Sequence, residues 1–185
     1  MKFQSRFKLL LLVPCIAVLL FIQACGEEDA ISKKEILVNN DWNMTEFEVE
    51  ISVSLAGVPL PTKETLDLIA ELDECDRDDL FDFMEDNTFI VKPNLNLCVD
   101  GDDEDEGNWF FSENETKFNL EIDDLEFEIG VDELDDDLEF NLNDLKIDQL
   151  TSSSFKLSKS DDVTTTYNGV EVTAKLSVNL TLKPE

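Results

Sequence analysis

The sequence contains no histidine. Imidazole general bases, nucleophile–histidine pairs and most zinc sites are thereby excluded, because each needs a group that titrates near neutrality or a neutral imidazole ligand. Bases are scarce as well: 14 Lys and Arg stand against 44 Asp and Glu, a formal charge of −30. A phosphate backbone is bound through Lys and Arg surfaces, so nucleic acid is excluded as a partner. Long apolar runs are missing too. The stretch Leu9 to Ile22 covers 14 residues and contains Pro14, short of the roughly 20 that a spanning helix requires. Among so many acids, some carboxylate pair falls at a glycosidase-like separation by chance. No catalytic residue, metal or cofactor is therefore assigned, and the chain reads as a non-enzyme.

Lys2, Arg6 and Lys8 precede that apolar stretch, and Gln23-Ala24-Cys25 follows it. A basic segment, a short apolar segment and a small residue before the cut make an export signal over residues 1–24; the alternative is a retained helical anchor. The string LFIQACGEED resembles the lipobox of bacterial lipoproteins, with Ile22 where Leu is usual. The resemblance implies that Cys25 carries a thioether-linked lipid, and two or more acyl chains hold a protein stably on a membrane. Residues 25–35 form the lipidated N-terminus and acidic tether. Glu27-Glu28-Asp29 resembles the acidic signal that sends such lipoproteins to the outer leaflet, and an ordinary polar tether reads equally well. Loss of the leader's three bases leaves 11 bases against 44 acids, a charge of −33, so contact with the membrane is through lipid and not through a basic face. Cys15 leaves with the signal. Cys75 and Cys98 then remain as the thiols of an exported domain, and a disulfide between them is expected. It closes a loop of 24 residues, stabilising by roughly 3–4 kcal/mol through restriction of the unfolded chain.

Residues 36–185 have the length of one domain. Ser32 to Val38 reads as one or two helical turns. Phe47, Val49, Ile51, Val53 and Leu55 then alternate with polar residues, the pattern of a half-buried strand. Trp42 and Met44 fall on the other parity, which predicts a bulge near Thr45-Glu46. Thr62 to Leu72 reads as a helix, with Thr62 as cap and Leu66, Ile69 and Leu72 at helical spacing. Leu80 to Met84 and Thr88 to Val91 form a hairpin about Asp86-Asn87, and Gly107 to Ser112 is a strand. Alternation continues from Lys117 to Leu150 with phase slips at acidic turns. Ser154 to Lys159 reads as a short strand, and Val163 to Tyr167 pairs with Val170 to Leu182 across Asn168-Gly169, a strong turn dipeptide. Closure removes the unpaired edges of so many strands. The fold expected is all-β: an up-and-down antiparallel barrel of about eight to ten strands, with one short helix inserted between the first two long strands. Asp100 to Glu106 holds six acids in seven residues without the glycine that an EF-hand loop needs at its sixth position; a solvated loop and a weak calcium loop both remain open.

Four segments in order, NNDWNM, ECDRDDLFDFMEDNTFIV, GNWFFSENETKFNL and LKIDQLTSSSFKLSKS, resemble successive landmarks of the lipocalin-like lipoprotein domains of Bacteroidetes, over about residues 36–183. Lipocalins carry Gly-x-Trp at the first strand. Here Asn40 stands in place of that glycine before Asp41-Trp42, whereas Gly107-Asn108-Trp109 keeps the pattern further on. The resemblance implies a β-barrel at the outer membrane, on either leaflet. It implies no particular ligand, since one fold hosts many functions.

Two functions follow. In the first, the barrel binds a small apolar ligand or a partner at the cell envelope. Its inner face is then lined by Val49, Ile51, Phe127, Ile129, Phe140, Val172 and Leu176, with Val58 to Leu72 placed like a lid. In the second, the barrel is filled, and the protein is a structural or interaction lipoprotein.

Overall fold

The computed structural model describes residues 31–97, 105–122, 127–131, 134 and 138–185. The fold belongs to the compact unit Ser32–Glu185. Cys25, the signal segment and the tether 25–30 lie outside the described residues, as do Cys98 and residues 100–104 of the acidic run.

The unit opens with helix α1, Lys33–Val38, whose N-cap Ser32 accepts a hydrogen bond from the Glu35 amide. Strands β1 (Asp41–Leu55) and β2 (Val58–Asp67) follow, then α2 (Leu68–Glu71) and one 3₁₀ turn, Asp76–Asp78, with Cys75 at its start. The remaining strands are β3 (Leu80–Phe83), β4 (Thr88–Lys92), β5 (Asp105–Ser112), β6 (Lys117–Ile122), β7 (Phe127–Ile129), β8 (Leu138–Phe140), β9 (Leu145–Thr151), β10 (Ser154–Tyr167) and β11 (Val170–Pro184). All described pairings are antiparallel. Order runs β11-β10-β9-β6-β5-β4-β3-β1, and β11 pairs back onto β1. Eight strands thus close a barrel, as the alternation and the short turns required. The separate pair β7-β8 joins the same apolar core through Ile129, Leu138 and Phe140.

The bulge falls where the parity change put it, between Met44 and Glu46. It lets Trp42 and Phe47 both point inward although they differ in parity. Asn168 and Gly169 both take positive φ, as the β10-β11 hairpin turn demands.

Three expectations are corrected. Residues 62–67 are not helix. Ala56 and Gly57 adopt φ of 50° and 79°, and this turn folds β2 back along β1 from Leu55↔Val58 to Glu48↔Asp67. Pairing with a distant strand overrides the local 3.6 spacing. Only Leu68–Glu71 remains helical, capped by Asp67, which accepts from the Ile69 and Ala70 amides, and not by Thr62. The segment 58–67 is accordingly a ninth strand on the flank of β1 and not a lid. Finally, Ser154 to Tyr167 is one strand and not two: β11 offers it an unbroken partner from Leu182 to Val170, so the polar stretch Ser160-Asp161-Asp162 is carried along.

Helix α1 closes one end of the barrel. Leu37 is fully buried, and its carbonyl accepts the indole N–H of Trp42 at 2.9 Å. Lys33 donates to the Glu115 carbonyl, and Lys34 donates to the Glu85 carbonyl at 2.6 Å. The helix is thus tied to the β5-β6 and β3-β4 turns. The hairpin turns at Ala56-Gly57 and Asn168-Gly169 lie side by side, because Ser54 pairs with Thr173.

Candidate functional site: barrel interior and wall groove

Six of the seven residues assigned to the inner face are buried there: Val49, Ile51, Ile129, Phe140, Val172 and Leu176 are between 0 and 7% exposed. Phe127 pairs with Phe140 in the β7-β8 ladder, and its side chain lies outside the described residues. The six are members of one continuous core with Trp42, Phe47, Phe83, Phe89, Trp109, Phe118 and Phe155. Their burial follows from alternation: on β11, Val172, Ala174, Leu176, Val178 and Leu180 face inward and their neighbours outward.

Aromatic rings occupy the end of the barrel nearest α1. Phe118 lies 5.0 Å from Phe155, 5.8 Å from Phe83 and 6.0 Å from Trp109 between centroids, and Phe155 is 6.0 Å from Trp42. Toward the other end, Phe140 of β8 meets Phe47 of β1 edge to face at 6.3 Å. Such spacings and edge-on angles are those of rings in direct contact. The residues assigned as pocket walls thus pack against other side chains of this chain. Sequence reasoning could find which residues face inward, Ile129 and Phe140 among them, but not that β7 and β8 form a two-stranded sheet of their own, since two three-residue strands carry little signal.

Gly107 has a specific cause. A Cβ built there would lie 2.4 Å from the Glu121 carbonyl oxygen and 2.7 Å from the Phe89 ring, so only glycine lets β5 pass between them. Two residues on, the indole of Trp109 donates to the Thr88 carbonyl at 2.9 Å, and the Lys34 ammonium sits 5.6 Å from its ring centroid. A cation over the tryptophan of the Gly-x-Trp segment was not legible in the sequence, because the lysine comes from α1.

No family model, curated protein or solved structure matches the chain.

Outside the barrel lies a groove of about 580 Å³, lined by Lys117, Asp144, Lys146, Ser158, Lys159, Ser160, Asp161, Ser177 and Asn179. Its origin is topological. Strands β6 and β9 share only two residue pairs, Lys117↔Lys146 and Phe118↔Leu145, and β9 leaves β10 after Lys146↔Ser158. Beyond these points β10 and β11 continue without β9, and the wall is notched. The segment 141–144 crosses the notch and is pinned from both sides. Buried Asn119 accepts from the Asp144 amide at 2.9 Å and donates to Ser112 at 3.0 Å. Lys159, only 14% exposed, donates to Asn141 Oδ1 at 3.0 Å and bridges Asp161 at 3.0 Å. Among the described residues, no three His, Cys, Asp or Glu converge as metal ligands, and no helix is long and apolar enough to cross a membrane.

Proposed function

We propose that this chain is an exported lipoprotein, acylated at Cys25, whose filled barrel serves as a rigid interaction module at the cell envelope and not as an enzyme. The carrying observation is the aromatic interior: the side chains that would line a lipocalin pocket contact one another and the rings of Phe47, Phe118 and Phe155. An eight-stranded barrel is narrow enough to be filled in this way. A second observation favours interaction. Residues 51–62 and 163–170 carry no charge in a chain that is 31% charged, and both runs meet at the adjacent hairpin ends. Leu55, Val58 and Val170 stand 41%, 65% and 50% exposed there. An uncharged apolar end on so acidic a surface suits contact with another protein.

In this reading the lipid attaches the protein to the outer membrane, as the lipobox-like segment and the resemblance to lipocalin-like lipoproteins of Bacteroidetes suggest, and Cys75 pairs with Cys98. Two measurements test it. Lipid extraction and mass spectrometry of the purified protein should find its own acyl chains and no stoichiometric co-purifying lipid; a bound apolar molecule at one per chain would restore the carrier reading. Cys25→Ser should release the protein from the membrane fraction. Persistence there with the leader uncleaved would instead make residues 9–22 an anchor.

A further inference from the structure

The wall groove gathers three lysines in an acidic molecule, each beside a carboxylate. Three of the 11 bases that follow the leader, Lys117, Lys146 and Lys159, line it. Lys117 and Lys146 are direct cross-strand partners, and like charges placed so are destabilising. Each has a carboxylate partner: Lys117 reaches Glu113 at 2.9 Å and lies 3.7 Å from Asp144, while Lys146 reaches Asp148. Lys146 and Glu113 are well exposed, and exposed ion pairs of this kind contribute only about 0–1 kcal/mol. An incoming oxyanion can replace those partners with little loss, because it offers charge-assisted hydrogen bonds to both ammonium groups at once.

Beside the two lysines, β10 and β11 present Ser158, Ser160, Ser177 and Asn179 outward, opposite in parity to buried Leu157, Leu176 and Val178. Ser158 pairs with Asn179, and Ser160 with Ser177. Acids dominate much of the remaining surface, yet these four positions hold short neutral hydrogen-bonding side chains. Asp144 and Asp161 supply acceptors at the margins. Such a set suits a polyhydroxylated body of larger volume than a bare phosphate. Lys159 and Asn119 hold the segment 141–144 in place. Screening beyond roughly 8 Å at physiological salt removes most of the molecule's negative charge from the balance, and the acids that remain within reach, Glu113, Asp144, Asp148 and Asp161, are the partners an incoming oxyanion has to displace.

We propose that this groove binds an anionic saccharide: the oxyanion between Lys117 and Lys146, the hydroxyls along Ser158, Ser160, Ser177 and Asn179. This site is independent of whether the barrel is filled. The test is saturation-transfer NMR on the full-length protein in detergent, observing glucose 6-phosphate and glucose directly and reading inorganic phosphate by its competition against glucose 6-phosphate. Glucose 6-phosphate should bind about tenfold more tightly than either other probe. The Lys117→Gln/Lys146→Gln pair should weaken it about tenfold, an effect of about 1.4 kcal/mol. Lys175→Gln/Lys183→Gln, which removes two charges outside the groove, should leave it unchanged. Lys117→Arg/Lys146→Arg, which keeps charge and donors, should retain binding and guards against a loss caused by misfolding. Absence of saturation transfer, or equal loss in the control pair, overturns the site. Phosphate binding as tightly as glucose 6-phosphate overturns the saccharide assignment.

Discussion

Phe118→Ala tests the filled barrel most directly. The ring is fully buried and has Phe155, Phe111, Phe83 and Trp109 at 5.0, 5.7, 5.8 and 6.0 Å. Truncating a buried Phe costs about 3–5 kcal/mol, the spread reflecting how far the site collapses. Here collapse is resisted from four sides by rings on β3, β5 and β10, so the cost should fall in the upper half, about 4–5 kcal/mol. For a domain of this length each kcal/mol lowers the melting temperature by roughly 2–4 °C, giving a loss of about 8–20 °C. Urea unfolding followed by tryptophan fluorescence supplies the free energy, and an unchanged slope shows that the unfolded state is unaltered. Benzene should recover part of the loss in the variant and do nothing for the wild type, since a dry apolar cavity binds such molecules. A cost below about 1.5 kcal/mol, or benzene stabilising the wild type equally, would mean that the ring borders space, and the filled-barrel argument would fail.

Gly107→Ala should cost about 1–3 kcal/mol by overpacking, because its Cβ would stand 2.4 Å from a backbone oxygen; chemical denaturation within about 0.5 kcal/mol of wild type would refute the contact. Trp42→Phe removes the donor to the buried Leu37 carbonyl and should cost about 1–3 kcal/mol, with faster amide exchange across α1 as its local signature. The Asp148 carboxyl is held below the usual range, first by Lys146 and then by Ser158. A carboxyl depressed in the folded state adds stability above its unfolded pKa of about 3.9 and loses it as pH falls through the folded value. Lys146→Gln should therefore raise the Asp148 titration midpoint seen by NMR and reduce the pH dependence of stability below about pH 4; an unmoved midpoint would show that the pair does not persist in solution. For the disulfide, neither Cys75 nor Cys98 should react with a thiol probe in denaturant until reductant is added.

Much of the barrel was readable because its information is local. Alternation along residues 47–55 and 170–182 names the inward face whatever the partner, and Asn168-Gly169 specifies a turn by its own φ preferences. Residues 58–67 were misread for the complementary reason. Leu66, Ile69 and Leu72 do repeat at helical spacing, but the ladder with β1 supplies hydrogen bonds that the local pattern cannot anticipate. The groove was not legible either. Its residues come from β6, the 141–144 segment, β9, β10 and β11, and only the barrel's closure brings them together. One trace existed: the outward positions 156, 158 and 160 on β10 and 173 to 181 on β11 carry Lys, Ser, Asn and Thr where acids prevail elsewhere.

The sequence by itself determined that the domain is all-β, that it closes, which side chains face inward and that its surface is strongly acidic, because period and composition act residue by residue. Which rings meet across the interior was decided by tertiary structure alone. That outcome depends on how far rings from β1, β3, β5, β6, β8 and β10 reach across a barrel whose radius is set by strand number and stagger, and no single strand carries that distance.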